Sequence, residues 1–236
     1  MLTLNTSSLV PFVDGVWLGS SPVRIVGMRL SATMAVLRLA DGGLLVYSSV
    51  ALTPERRAAV EQLGPVRDLY LPNIFHHRWA RDWAAAFPGA CVHAPSELAK
   101  NRRKTQGLRV GRLHGAPLDP VLADSLEEQA IEGFRLRESV LVHRETRTLV
   151  VADLLHNVGR PTQPWAVVYT RLMGFYDRVA LSRFIRWTGF DDRPAARRSV
   201  AALLARSFER LVVGHGAPLS SGAHEAVDAA YAWLRD

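Results

Sequence analysis

The chain has a single cysteine, Cys91, in 236 residues. No internal disulfide can form and no cysteine-built zinc knuckle is possible, which fits a reducing compartment. Long apolar runs are also missing. Stretches such as Leu44–Tyr47 and residues 149–152 fall far short of the ~20 residues that a membrane span needs. No cation precedes Arg24, so the charged start of an export signal is absent. The expectation is a cytoplasmic protein with no membrane partner. Glycine (17) and proline (13) stand at ordinary levels, which excludes collagen-like and low-complexity chains. What is present is a globular composition, 48% hydrophobic and 22% charged, with length enough for a large buried core. One domain over residues 1–236 is expected. Lys and Arg exceed Asp and Glu by 29 to 22, a formal charge of +7 that permits an anionic partner.

Local patterns set out the elements. Residues 16–18 read as a strand before a Gly-Ser-Ser-Pro turn, and residues 35–39 as a strand leading into the hairpin signal Asp41-Gly42-Gly43. Thr53-Pro54-Glu55 opens a helix that runs to Leu63, with Thr as cap, Pro in the first turn and an acid behind it. Residues 68–71 and 90–93 are short buried strands on either side of a helix that ends at Phe87-Pro88-Gly89. Residues 134–143 and 148–152 form a second hairpin, 195–208 a helix, 211–213 a last buried strand and 224–234 a closing helix. Residues 98–118 carry six cations and no acid, which reads as an exposed basic loop. The aromatic- and arginine-rich segment 157–198 reads as a helical insertion, with Leu172, Phe175, Tyr176, Val179 and Arg183 at helical spacing. Paired strands with helices between them suggest two sheets packed face to face with helices outside.

Three segments place ionisable side chains just after a short apolar strand. They are Asn73 with His76-His77, Asp153, and His215 between two glycines. Ligands gather beyond strand carboxyl ends in layered α/β folds, so these side chains can converge. Imidazoles and a carboxylate suit zinc, iron or manganese, and a metal held this way acidifies water. His215 between its glycines also suits a tight turn with the ring bonded to backbone. Adjacent His76 and His77 cannot face the same way, so at most one binds directly.

The strands ending in Leu149-Val150-Val151-Ala152-Asp153 and Val212-Val213-Gly214-His215-Gly216 resemble, in type and order, those of the metallo-β-lactamase-fold hydrolases. The Pro72-Asn73-x-x-His76-His77-x-Trp79-Ala80 run is similar to an uncharacterised branch of that superfamily, a domain of unknown function. The resemblance covers about residues 12–220 and implies an αβ/βα sandwich with two mixed sheets. It implies hydrolysis of an ester, amide, thioester or phosphoester, with an anionic substrate mildly favoured by the charge balance.

The chain departs from the family where ligands are supplied. Asn73, Phe75, His77 and Arg78 fall where the family has His, His, Asp and His, and Arg135 or its neighbours replace a later His. Phe75 cannot ligate and Arg78 stays protonated, so the two-metal arrangement cannot form by direct correspondence. One divalent metal on Asp153, His215 and either His77, which the loop register of the resemblance favours, or His76 remains, with Asn73 as an aid. Asn73, Arg78 or Arg135 would stabilise developing negative charge, with His156 and Trp165 lining the pocket. The competing reading is a metal-free binding protein on the same fold. A third is nucleic-acid binding through residues 100–112. The 157–198 insertion shapes the pocket, acts as a lid or makes a homodimer contact.

Overall fold

A computed structural model describes residues 8–235. The first sheet has seven strands in chain order: β1 (Val10–Val13), β2 (Val16–Ile25), β3 (Met28–Arg38), β4 (Leu44–Tyr47), β5 (Val66–Tyr70), β6 (Cys91–Ala94) and β7 (Val110–Leu113). Pairing is antiparallel from β1 to β4 and parallel from β4 to β7. The second sheet has β8 (Leu126–Ala130), β9 (Ser139–His143), β10 (Thr148–Val150) and β11 (Arg210–Val212), in the order β11-β10-β9-β8. Its β10 and β11 are parallel and its other pairs antiparallel. The helices are α1 (Pro54–Leu63), α2 (Ala80–Ala86), α3 (Ser96–Lys100), α4 (Pro120–Ser125), α5 (Pro164–Leu172), α6 (Arg183–Thr188), α7 (Arg193–Leu204) and α8 (Ala223–Tyr231).

Side-chain alternation along the strands builds four layers. Leu37, Leu45, Tyr47 and Tyr70 of the first sheet meet Leu141, Val150 and Val212 of the second. The opposite faces of the same strands carry Val36, Val46 and Leu69, which pack on Val60 of α1, Trp83 of α2 and Leu98 of α3. Val142, Leu149 and Leu211 pack in turn on Val200 of α7 and Val227 of α8. Both faces of the central strands are therefore covered, which is why they read as unbroken apolar runs rather than alternating ones. This is the αβ/βα sandwich with two mixed sheets.

Most local signals are realised. Thr53 accepts a hydrogen bond from Arg56 N and caps α1. The Asp41-Gly42-Gly43 turn joins β3 to β4. Three expectations are corrected. Gly19-Ser20-Ser21-Pro22 is not a turn but part of β2, and the hairpin turn falls at Val26-Gly27. Proline is tolerated there because, among the described residues, no strand pairs with that side of β2 beyond Leu18. The helical spacing from Leu172 to Arg183 does not form one helix. α5 ends at Leu172, and Gly174 and Asp177 adopt positive φ before α6 begins. The basic segment is not all loop, since α3 and β7 occupy parts of it. Strand β8, Leu-Glu-Glu-Gln-Ala, was not visible because its composition favours helix. Pairing with β9 and the ion pairs of Glu127 with Arg144 and Glu128 with Arg112 override that preference. Among the described residues, no helix is long and apolar enough to cross a membrane.

Candidate metal centre

The parallel strands β4, β5, β10 and β11 release their carboxyl ends on one edge of the sandwich. The two sheets are tied there by Ser139 N donating to the Pro72 carbonyl and Thr33 N donating to the Gly214 carbonyl. Gly214 lies so close to the segment that follows β10 that a Cβ would sit 2.7 Å from the Ala152 oxygen. Gly216, at φ +111°, would place one into the Asn157 carbonyl. Only glycine permits this approach, and it brings His215 against Asp153.

His76, Asp153 and His215 offer ligand atoms that all lie within 4.8 Å of one another. His76 Nε2 is 3.3 Å from Asp153 Oδ2, and His215 Nε2 is 3.4 Å from Asp153 Oδ1. Each imidazole is anchored from behind. His215 Nδ1 donates to the Ser31 carbonyl at 2.9 Å, and His76 Nδ1 is hydrogen-bonded to Ser48 Oγ at 2.7 Å. A carbonyl can only accept, so the His215 proton belongs on Nδ1. Its Nε2 then points at a carboxylate either as an imidazolium N–H or as a lone pair ready for a cation. The donor set, two imidazoles and one carboxylate, fits one zinc, iron or manganese ion.

Electrostatics reinforce the arrangement. Burial disfavours the His76 imidazolium, but the charge and hydrogen bond of Asp153, with Glu138 behind, raise its pKa overall. Burial works against the Asp153 carboxylate, yet the His76 charge and the His215 hydrogen bond hold it well below the usual range. Behind them Glu138 is buried, at 1% exposure, and unannounced by any motif. Its carboxylate accepts from Ala152 N, Asp153 N, Leu154 N and Asn73 Nδ2. Burial and the Asp153 charge push Glu138 up to about 7 against those donors. The one available signal was an acid directly before an apolar strand.

The remaining expected residues fall elsewhere. His77 is not beside Asp153; the Asn73 side-chain oxygen accepts from Phe75 N and His76 N, and this turn sends His76 inward. His77 lines a neighbouring hollow, and burial, then Lys104, lower its pKa. Asn73 is buried and spends its amide on Glu138 and Asp153, so it orients the carboxylates rather than facing a substrate. Arg78 is exposed at the mouth of a 500 Å³ hollow that His76, Asp153 and His215 line. Arg135 is exposed, fixed through its backbone N–H to Gly189, and does not line that hollow. His156 is packed behind His215, ring centres 5.9 Å apart, with its pKa lowered to about 4 by burial and then His215. Trp165, 42% exposed, sits over Gly27 at the β2–β3 turn instead of in the hollow.

A second trio, Asp68, Cys91 and His93, is equally close. Its tautomer is opposite. Arg112 can only donate to His93 Nδ1, at 3.3 Å, so the His93 proton lies on Nε2 and is given to Asp68 Oδ1 at 2.7 Å. That imidazole has no lone pair facing the trio, and the group reads as a buried structural network.

The four layers, the mixed sheets and a candidate ligand trio at the strand ends define a protein of the metallo-β-lactamase fold. Solved structures agree. A metallo-beta-lactamase from Pontibacter korlensis superposes with a TM-score of 0.64 at 11% identity, over 97% of this chain and 99% of that one. The metallo-beta-lactamase FIM-1 from Pseudomonas aeruginosa, in its mono-zinc form, gives 0.62 at 12%, over 100% and 99%. The metal-soaked Flv1 flavodiiron core from Synechocystis sp. PCC6803 gives 0.68 at 13%, over 98% of this chain and 62% of that one. Identities this low speak to the fold alone. Residues 14–177 match the model of a domain of unknown function (DUF4336), and the chain belongs to that family. No curated protein sequence matches it.

Proposed function

We propose that the chain is a hydrolase of an ester, amide, thioester or phosphoester that uses one divalent metal held by His76, Asp153 and His215. The observation that carries this reading is the anchored trio. Two imidazoles present Nε2 inward because Ser31 and Ser48 engage Nδ1, and a carboxylate lies between them. Three protein ligands leave a position open, as catalytic rather than structural sites do. A divalent ion supplies Lewis acidity to a substrate oxygen and to water.

The chain's own residues do the rest. Asn73 and Glu138 fix the loop that carries Asp153, so the ligand set is held before substrate arrives. Arg78 at the mouth offers a fixed positive charge to negative charge on the substrate or developing in the reaction. Phe75, 57% exposed, and Trp79 supply apolar walls.

Elemental analysis of protein purified without chelator tests this. Near-stoichiometric metal, lost in His215→Ala and Asp153→Ala, is the expected result. Metal retained in both variants would place the centre elsewhere. The second reading is a metal-free binding protein. It draws on Asp153 being paired by two imidazoles already, and on Phe75 and Arg78 standing at family ligand positions. Metal-free protein whose melting temperature ignores both chelator and added zinc would favour it.

A further inference from the structure

The segment 100–108 does not hang free. Lys104 Nζ donates to the Ile74 carbonyl at 3.0 Å and lies 4.9 Å from the Phe75 ring centre, which fastens the basic segment to the loop that carries His76. Arg81 Nη2 on α2 comes within 3.5 Å of the Arg103 carbonyl oxygen. The result is a hollow of about 680 Å³ lined by Arg78, Arg81, Arg103 and Lys104, with His77, Asn101 and the single acid Asp82. Arg78 also lines the hollow at the metal centre, so the two adjoin. On the other flank Arg24 and Arg29 line a third hollow with Arg78.

What sets these cations apart is their crowding into adjoining hollows, since among the described residues Arg102, Arg109 and Arg198 also lack a carboxylate partner. Arg57, Arg67, Arg137, Arg144 and Arg235 each reach a carboxylate within 4.0 Å. Among the described residues none of Arg24, Arg29, Arg78, Arg81, Arg103 and Lys104 has such a pair. Like charges crowded into one concavity repel, and a bound anion relieves that repulsion. Arg forks suit the tetrahedral oxygens of phosphate.

We infer that the hollow between Arg78, Arg81, Arg103 and Lys104 is a subsite for a phosphate group of the substrate. It deepens the hydrolase reading, because it names the substrate class and places the phosphate beside the bond to be cleaved. The phosphate comes from either a small phosphate ester or a polynucleotide, and the two sources share this recognition.

The test uses the full chain and two probes, inorganic pyrophosphate and a short fluorescein-labelled single-stranded oligodeoxythymidylate, with a neutral-backbone analogue as control. The labelled strand should bind at low salt, the neutral analogue should not, and pyrophosphate should compete. Arg81→Glu/Arg103→Glu, both exposed positions, should weaken binding at least about ten-fold with metal content and urea midpoint unchanged. A slope of log K on log salt near about −3 indicates four phosphate contacts along a strand. A shallow slope with pyrophosphate the tighter ligand indicates a small ester. Either supports the subsite. No binding of either probe, or affinity within two-fold in the double variant, overturns it. His215→Ala separates the two claims. If it loses metal but keeps anion affinity both stand; if it keeps both its metal and its anion affinity the metal centre lies elsewhere while the subsite survives; if it loses anion affinity the subsite is overturned.

Discussion

Glu138→Ala removes one carboxylate on which four hydrogen bonds converge. The Glu138 carboxylate is the shared acceptor for Ala152 N at 2.8 Å, Asp153 N at 2.8 Å, Leu154 N at 3.2 Å and Asn73 Nδ2 at 2.9 Å. Truncation orphans four buried donors at once. One unsatisfied buried donor costs about 1–3 kcal/mol, and relief of the repulsion between Glu138 and Asp153 offsets part of the loss of four, which leaves about 3–5 kcal/mol. The donors can find partial relief in water admitted to the cavity, so the lower figure, about 3 kcal/mol, is expected. A domain of this size holds roughly 5–15 kcal/mol in all, so the loss is large and should appear as a fall of several degrees in melting temperature. Urea titration with an unchanged slope is the assay. Glu138→Gln should fall between, because its amide group keeps one acceptor oxygen and sets an N–H₂ against an N–H. Metal content should drop in Glu138→Ala although no proposed ligand is touched, since Asp153 loses the anchor on its own backbone. A cost under about 1 kcal/mol, with metal retained, would refute the reasoning that this carboxylate holds the centre in place.

Other expectations follow from the same contacts. His76→Ala should abolish metal binding in elemental analysis whereas His77→Ala should leave it, because only His76 faces Asp153; the reverse result would return the ligand to His77. Gly214→Ala should cost about 1–3 kcal/mol by urea unfolding, as its Cβ meets the Ala152 oxygen at 2.7 Å. His114, stacked on Tyr70 with both ring nitrogens unpartnered, has its pKa lowered to about 3, chiefly by burial. The unfolded chain therefore binds a proton that the folded chain refuses, and stability falls as pH drops from about 6.5 towards 3, by about 1.4 kcal/mol per pH unit. His114→Phe should flatten that part of the urea-midpoint profile; an unchanged acid limb would show that His114 does not cause it.

Much of the architecture can be read from short-range patterns. The Asp41-Gly42-Gly43 turn and the Thr53 cap are local chemistry, complete within a few residues, and form as read. Asp153 and His215 were legible because each follows an apolar strand, and parallel strands deliver their ends to one edge. Patterns whose outcome depends on distant partners misled. Pro22 does not end β2, since among the described residues no strand pairs with that side of β2 beyond Leu18, and β8 looks helical until β9 lies beside it.

The sequence by itself therefore determined the layered α/β architecture, the hairpin at Asp41-Gly42-Gly43 and the strand ends on which Asp153 and His215 sit. Those follow from periodicity and turn chemistry, which act within one element. Only the tertiary structure decided that His76 and not His77 turns inward, that Glu138 holds the Asp153 loop, and that the basic segment lies against the centre. Side-chain direction in an irregular loop follows its backbone, and here that backbone is set by Asn73 and Lys104 through contacts made across the fold.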